Sequence, residues 1–196
     1  MDLAEFIQAT GDRYHVEERW HACAILSQDF PTELQDIVDC LNQFTLKRSE
    51  IIAGGGGKTK IAARFDSFFV TRGWREARTD VKMVIGDRTI EMGTHKLDNC
   101  KGRVAVEVEW NNKDPFYARD LNAFRMLHDL DVISVGSIIT RTDELQDLFD
   151  ELGVGHKYGA STTHWSKLAP RIDSGGGGTC PLLLIGIKSN CYDANA

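Results

Sequence analysis

The chain has 196 residues, 42% of them hydrophobic and 27% charged, and its 29 acidic against 23 basic side chains give a formal net charge of −6. Such a length fits one compact domain over residues 1–196, with a sheet core and helices on both sides, and the acidic balance argues against a protein that coats nucleic acid by bulk attraction. No segment approaches the ~20 apolar residues needed to cross a membrane and the N-terminus carries no leader pattern, so a soluble protein of the cytoplasm is expected.

In chain order, the pattern from Tyr14 to about Ser27 predicts a helix, and a second begins near Pro31, a favoured first helical position after Asp29. There Leu34, Ile37, Val38, Leu41 and Phe44 recur at three- and four-residue intervals, a stripe for packing on the core. Five cysteines without a CxxC pair predict free thiols, and His21 with Cys23 lacks a second ligand pair at zinc spacing. The tract from Ala53 through four glycines to Lys58 and Thr59 invites comparison with a phosphate-binding loop. That motif needs a glycine where Ile52 stands, and a preceding buried strand. No nucleotide cofactor is therefore expected; the tract reads as a loop leading into a helix at 58–72, closed by Gly73.

Lys58, Lys60, Arg64, Arg72, Arg75, Arg78 and Lys82 form a basic run, read either as a phosphate-binding track or as a solvated face. Val81–Ile85 and Thr89–Met92 flank Gly86-Asp87 as a hairpin, followed by a strand at 94–98, a turn at 99–102 and a strand at 103–110. Asp114-Pro115 opens a helix with Phe116, Leu121, Phe124 and Leu127 on one side, and Val132–Ile139 returns as a strand. A strand–helix–strand unit implies a parallel pair with a right-handed crossover. Thr142 is expected to cap an acidic helix through Leu152, Ser161–Thr163 to start a short helix, and a second four-glycine tract at 174–179 to precede a strand at Leu182–Ile187.

The strand at 103–110 carries the chemistry. Its alternation puts Val104, Val106 and Val108 on one face and Ala105, Glu107 and Glu109 on the other. Two carboxylates on a valine-rich buried strand ask for a cation, since a lone buried carboxylate is costly. The bland alternative is an edge strand with solvated glutamates. Bending of the hairpin would bring Asp98 to the same face, and clustered carboxylates suit magnesium or manganese better than zinc. Such a site fits phosphodiester hydrolysis.

Asp98, with Glu107 nine residues on and Glu109 two further, resembles the active-site hairpin of type II restriction endonucleases of the BglII, BstYI and BamHI group, within the PD-(D/E)XK superfamily. The likeness extends to KGRVAVEVEWNNKDPFYARDL, similar to the group's catalytic strand and following helix. It also takes in GWREAR at Gly73–Arg78, similar to the end of its preceding helix, and PLLLIGI at Pro181–Ile187, similar to its C-terminal strand. Most of the superfamily carries lysine where this chain has Glu109; the BamHI type has glutamate and the BglII type glutamine.

The resemblance implies an α/β restriction-endonuclease-like fold, a mixed sheet of about five strands flanked by helices. It further implies a homodimer that cuts double-stranded DNA with Mg2+, for which Mn2+ can substitute, at a six-base palindrome built on a GATC core. Carried over residue by residue, Asp98, Glu107 and the backbone carbonyl of Val108 would be metal ligands, and Glu109 would orient or deprotonate the attacking water. Asn111 and Asn112 would contact bases, asparagine being able to pair bidentately with adenine. Lys113, Arg119, Lys58 and Lys60 would meet DNA phosphates. Two rivals stay open: a structure-specific repair or recombination nuclease on the same fold, and a non-catalytic DNA-binding module with structural carboxylates.

Overall fold

The computed structural model describes residues 1–53 and 59–195. The first glycine tract and Lys58 thus lie outside the described residues. In chain order the elements are α1 (Leu3–Thr10), β1 (Tyr14–Arg19), α2 (Ala22–Asp29), α3 (Pro31–Gln43), β2 (Leu46–Lys47), α4 (Arg48–Ile51), α5 (Lys60–Thr71), β3 (Arg75–Ile85), β4 (Arg88–Lys101) and β5 (Val104–Glu109). There follow α6 (Pro115–Asp129), β6 (Val135–Arg141), α7 (Leu145–Glu151), α8 (Trp165–Asp173), β7 (Leu182–Ile187) and β8 (Tyr192–Asp193).

Six strands, one more than expected, form a mixed sheet in the order β1-β7-β6-β5-β4-β3. β5, β6 and β7 run parallel, while β1, β4 and β3 are antiparallel to their neighbours. The extra strand is β1, in the stretch predicted as a helix. Tyr14 and Val16 are buried and His15 is exposed, a period of two, and Tyr14 pairs with Ile187 at the far end of the sequence. The helix begins only at Ala22, after Trp20 and His21 turn the chain through left-handed conformations.

Val104, Val106 and Val108 join α1, α2, α3 and α5 in one core, whereas Ala105 joins α6 and α8 in a second core on the opposite face. The alternation of β5 therefore decides which layer receives the glutamates. On α6 the buried stripe is Tyr117, Leu121, Phe124 and Leu127, with Phe116 only half-buried. The expected parallel β5–α6–β6 unit is present, with Val104 opposite Val135, so β6 starts later than Val132.

Three further local expectations are corrected. Asn99–Lys101 is not a turn but the end of β4, paired with Val104–Val106, and the connection tightens to Gly102-Arg103, with Gly102 at φ 54° where a side chain would be strained. Arg75–Arg78 starts β3 instead of ending a helix. Ahead of it, Trp74 is buried and its Nε1 donates to Asp36 Oδ2 at 2.9 Å; Lys101 Nζ reaches the same oxygen at 2.7 Å, tying α3 to the hairpin. Thr142 does not cap α7, because its hydroxyl donates to the Ile187 carbonyl, and the last helix begins at Trp165, beyond Ser161–Thr163.

All five cysteines are free. No described helix is long and apolar enough to cross a membrane.

Candidate active site

β5 is a central strand, and Glu107 and Glu109 on its α6 face are each only 2% exposed. The ladder between β4 and β5 stops at Asn99 opposite Val106. One residue beyond, the Asp98 amide donates to Glu107 Oε1 at 3.0 Å, so a side-chain carboxylate continues the strand junction. The Asp98 carboxylate is partly exposed and takes an ion pair from Lys96 Nζ at 3.0 Å, which also meets Glu76 Oε2 at 3.0 Å.

A third buried carboxylate comes from α6. Asp120 lies three residues after Tyr117 and four before Phe124, on the helix face turned to the sheet, and is 2% exposed. One ligand oxygen each from Glu107, Glu109 and Asp120 fall within 4.8 Å of one another. Sequence reading passed over Asp120; its helical register with the buried stripe was the signal that could have found it.

The carboxylates are held by polar neighbours. Asn112 Nδ2 donates to Glu109 Oε2 at 2.9 Å, and Asn112 is clasped at its backbone by Thr163, whose Oγ1 accepts from Asn112 N at 3.1 Å and whose amide donates to Asn112 O at 2.8 Å. Arg119 Nε donates to Asp120 Oδ1 at 2.9 Å, its Nη2 lies 3.7 Å from Glu109 Oε1, and its guanidinium sits over the Phe116 ring, 4.3 Å from the centroid. The other oxygen, Asp120 Oδ2, is buried and receives no N–H or hydroxyl among the described residues, its polar neighbour being the Glu109 carboxyl. Lys96, Asp98, Glu109, Asn112, Phe116 and Arg119 line an open cleft of about 440 Å³.

Electrostatically the cluster is short of positive charge. Burial, then Asp120 and Asp98, push the Glu107 carboxyl well above the usual range. Glu109 is pushed up to about 9 by burial and then by Asp120, and burial also raises Asp120. Carboxylates crowded out of water hold protons or a cation, because the charged forms cannot all be sustained there. The donor set is oxygen only, with one buried oxygen left over. It fits a hard divalent cation such as magnesium or manganese.

The remaining sequence candidates are placed as follows. The Val108 side chain enters the opposite core, and its backbone lies beyond the β4 ladder. Asn111 lies two residues past β5 at φ 59°, with its Oδ1 buried and without a hydrogen-bond partner among the described residues. Lys113 bridges to Thr162. Lys60 opens α5, a helix packed against the other face of the sheet, and does not line the cleft. Within the basic run, among the described residues, Arg64 pairs with Glu50, Arg72 with Asp36 and Asp39, Arg78 with Glu76, and Lys82 with Glu91.

A mixed sheet flanked by helices, with carboxylates gathered at the end of a central strand, defines the class of restriction-endonuclease-like proteins. The family model described as restriction endonuclease BglII/BglIII matches residues 14–187, and the chain belongs to that family. No curated protein matches it. Family membership makes the chain a restriction endonuclease, whose substrate is double-stranded DNA.

Proposed function

We propose that this restriction endonuclease works as a homodimer that hydrolyses phosphodiesters in a Mg2+-dependent reaction at a short palindrome, for which a GATC core is the first candidate. The observation that carries the reading is the buried group of Glu107 and Glu109 beside Asp98, at the mouth of a cleft. A two-fold protein matches a two-fold site, and one active site per strand gives a double-strand break. Binding without cleavage leaves that buried acidic group unused; cleavage by DNA structure would use it in the same way, and the ends of the products separate the two.

Asp98 and Glu107, with the Val108 carbonyl, would hold the cation. When bound, the ion supplies charge neutralisation at the phosphate and a more acidic water. Glu109 faces the same cleft and either orients the attacking water or takes its proton; Asn112 fixes the carboxylate for that task by its bond to Oε2. Arg119, half exposed at the cleft edge, is suited to hold a phosphate oxygen. Asn111, Asn112 and Lys113, after the end of β5, would meet the base edges and backbone, and Lys58 and Lys60 would be further phosphate contacts. A cytoplasmic location belongs to the same reading, since double-stranded DNA would be the substrate.

The test is digestion of plasmid DNA by the full chain with Mg2+, with Mn2+ and with chelator, followed by sequencing of the ends. Discrete fragments with a common palindromic end, lost in chelator, are the expected result. Undiminished cutting in chelator, or ends without a shared sequence, would overturn it.

A further inference from the structure

We infer that Asp120 is a carboxylate ligand of the cation site, supplied by helix α6 and absent from the hairpin motif. The inference rests on the proposed function, since it adds a residue to that same site. Geometry carries it: one Asp120 oxygen lies within 4.8 Å of an oxygen of both Glu107 and Glu109, and all three residues are 2% exposed. Close like charges repel strongly where water is excluded, so such an arrangement is stable with ionised groups only around a cation.

A purely structural role, as the ion-pair partner of Arg119, accounts for less. Arg119 engages one oxygen, Oδ1, at 2.8–2.9 Å, and keeps more than half of its side chain exposed. An arginine so near the surface could pair there without drawing a carboxylate into the apolar stripe of Tyr117, Leu121 and Phe124. Oδ2 remains buried and receives no N–H or hydroxyl among the described residues; in the metal-free protein the proton that serves it is one shared with the raised Glu109 carboxyl, and a cation between the two carboxylates would take that proton's place. The chemistry of the missing partner follows from the group gathered round it: among the described residues the candidate ligands are the carboxylates of Glu107, Glu109 and Asp120, a set that suits a hard divalent ion. Arg119, which also approaches Glu109 Oε1 at 3.7 Å, is then the cation that partly balances the site in the metal-free protein and competes with the ion for Asp120.

The experiment is calorimetric titration of the DNA-free full chain with Mn2+ alone, together with melting curves in chelator. Asp120→Asn, close in shape, should weaken Mn2+ binding by roughly tenfold or more, and should melt in chelator at the wild-type temperature or above it, because a crowded carboxylate has been removed. Wild-type Mn2+ affinity in Asp120→Asn, with Glu107→Gln losing it, would overturn the ligand role while leaving the proposed function intact. Failure to fold, or a lower melting temperature in chelator, would show Asp120 to be a structural partner of Arg119 and would also overturn it. Arg119→Gln keeps every carboxylate and must bind Mn2+ at least as tightly as wild type; weaker binding would count against competition at Asp120. If Glu107→Gln itself binds Mn2+ like wild type, the cation site as a whole is misassigned.

Discussion

The backbone amide of Asp98 is bonded to the side-chain carboxylate of Glu107 at 3.0 Å, one residue past the last paired residues of β4 and β5. The two residues that the hairpin motif joins by spacing are thus joined physically, and Glu107 is held within reach of Glu109 and Asp120. Glutamine in place of Glu107 can still accept from Asp98 while carrying no charge. Glu107→Gln should therefore lose cleavage by more than about 10²-fold, the scale of a lost catalytic group. In chelator it should melt at or above the wild-type temperature near neutral pH, since the raised wild-type carboxyl must take up a proton on folding and the neutral amide need not. Single-turnover cleavage and calorimetry check the two halves separately.

Asn112 is tied to Glu109 through Nδ2 and to Thr163 through its backbone. An amide nitrogen has two hydrogens, so one can hold Glu109 while the other, with Oδ1, pairs with adenine. Asn112→Ala should accordingly lower the rate at the preferred site by roughly 10- to 100-fold through a loosened Glu109. If Asn112 also reads a base, discrimination against a changed base at one position should fall by ~1–3 kcal/mol. Cleavage rates on a matched set of singly substituted duplexes measure both; wild-type rates throughout would make Asn112 a turn residue only.

Gly136 on β6 faces the ring of Phe124 on α6, and a Cβ added there would stand 2.6 Å from Cδ2. The ring is fully buried, so it has little room to move aside. Gly136→Ala should destabilise by about 1–3 kcal/mol through overpacking. It should also weaken cleavage, since α6 carries Asp120 and Arg119. Urea unfolding gives the first quantity, and a change below about 0.5 kcal/mol, the range of neutral surface substitutions, would contradict it.

His164 precedes α8 and is 8% exposed, with Nδ1 buried and unpartnered and Nε2 3.6 Å from Asp143 Oδ1. Burial, and then the Arg141 guanidinium, lower its pKa below the usual histidine value despite Asp143. The unfolded chain takes up a proton at about 6.5, before the folded one does. Stability from the neutral ring is thus complete above about pH 6.5 and is lost as pH falls through the lower folded value. Melting temperatures of wild type and His164→Gln between pH 5 and 8 should differ by a term that changes only on the acid side. A constant difference would refute it.

The local patterns of this sequence were enough for much of the framework. The alternation of valine and glutamate in β5, Pro115 opening α6, the stripe of Leu34, Ile37, Val38 and Leu41, and the apolar run at Leu182–Ile187 all express short-range periodicity, which the chain carries within a few residues. Tyr14–Arg19 reads as helix in the sequence because six residues with two buried positions are a weak signal, and its strand state depends on pairing with β7 across nearly the whole chain. The same applies to the hairpin: the spacing of Asp98, Glu107 and Glu109 is sequential, but which carboxylates share one volume is not. Asp120 sits on another element, eleven residues past Glu109 with a bend and a helix start between, and only the packing of α6 on β5 brings its oxygen within 4.8 Å of the glutamates. A carboxylate in a helical stripe is an oddity in sequence; its charge acquires meaning when burial removes water and leaves the other carboxylates as neighbours.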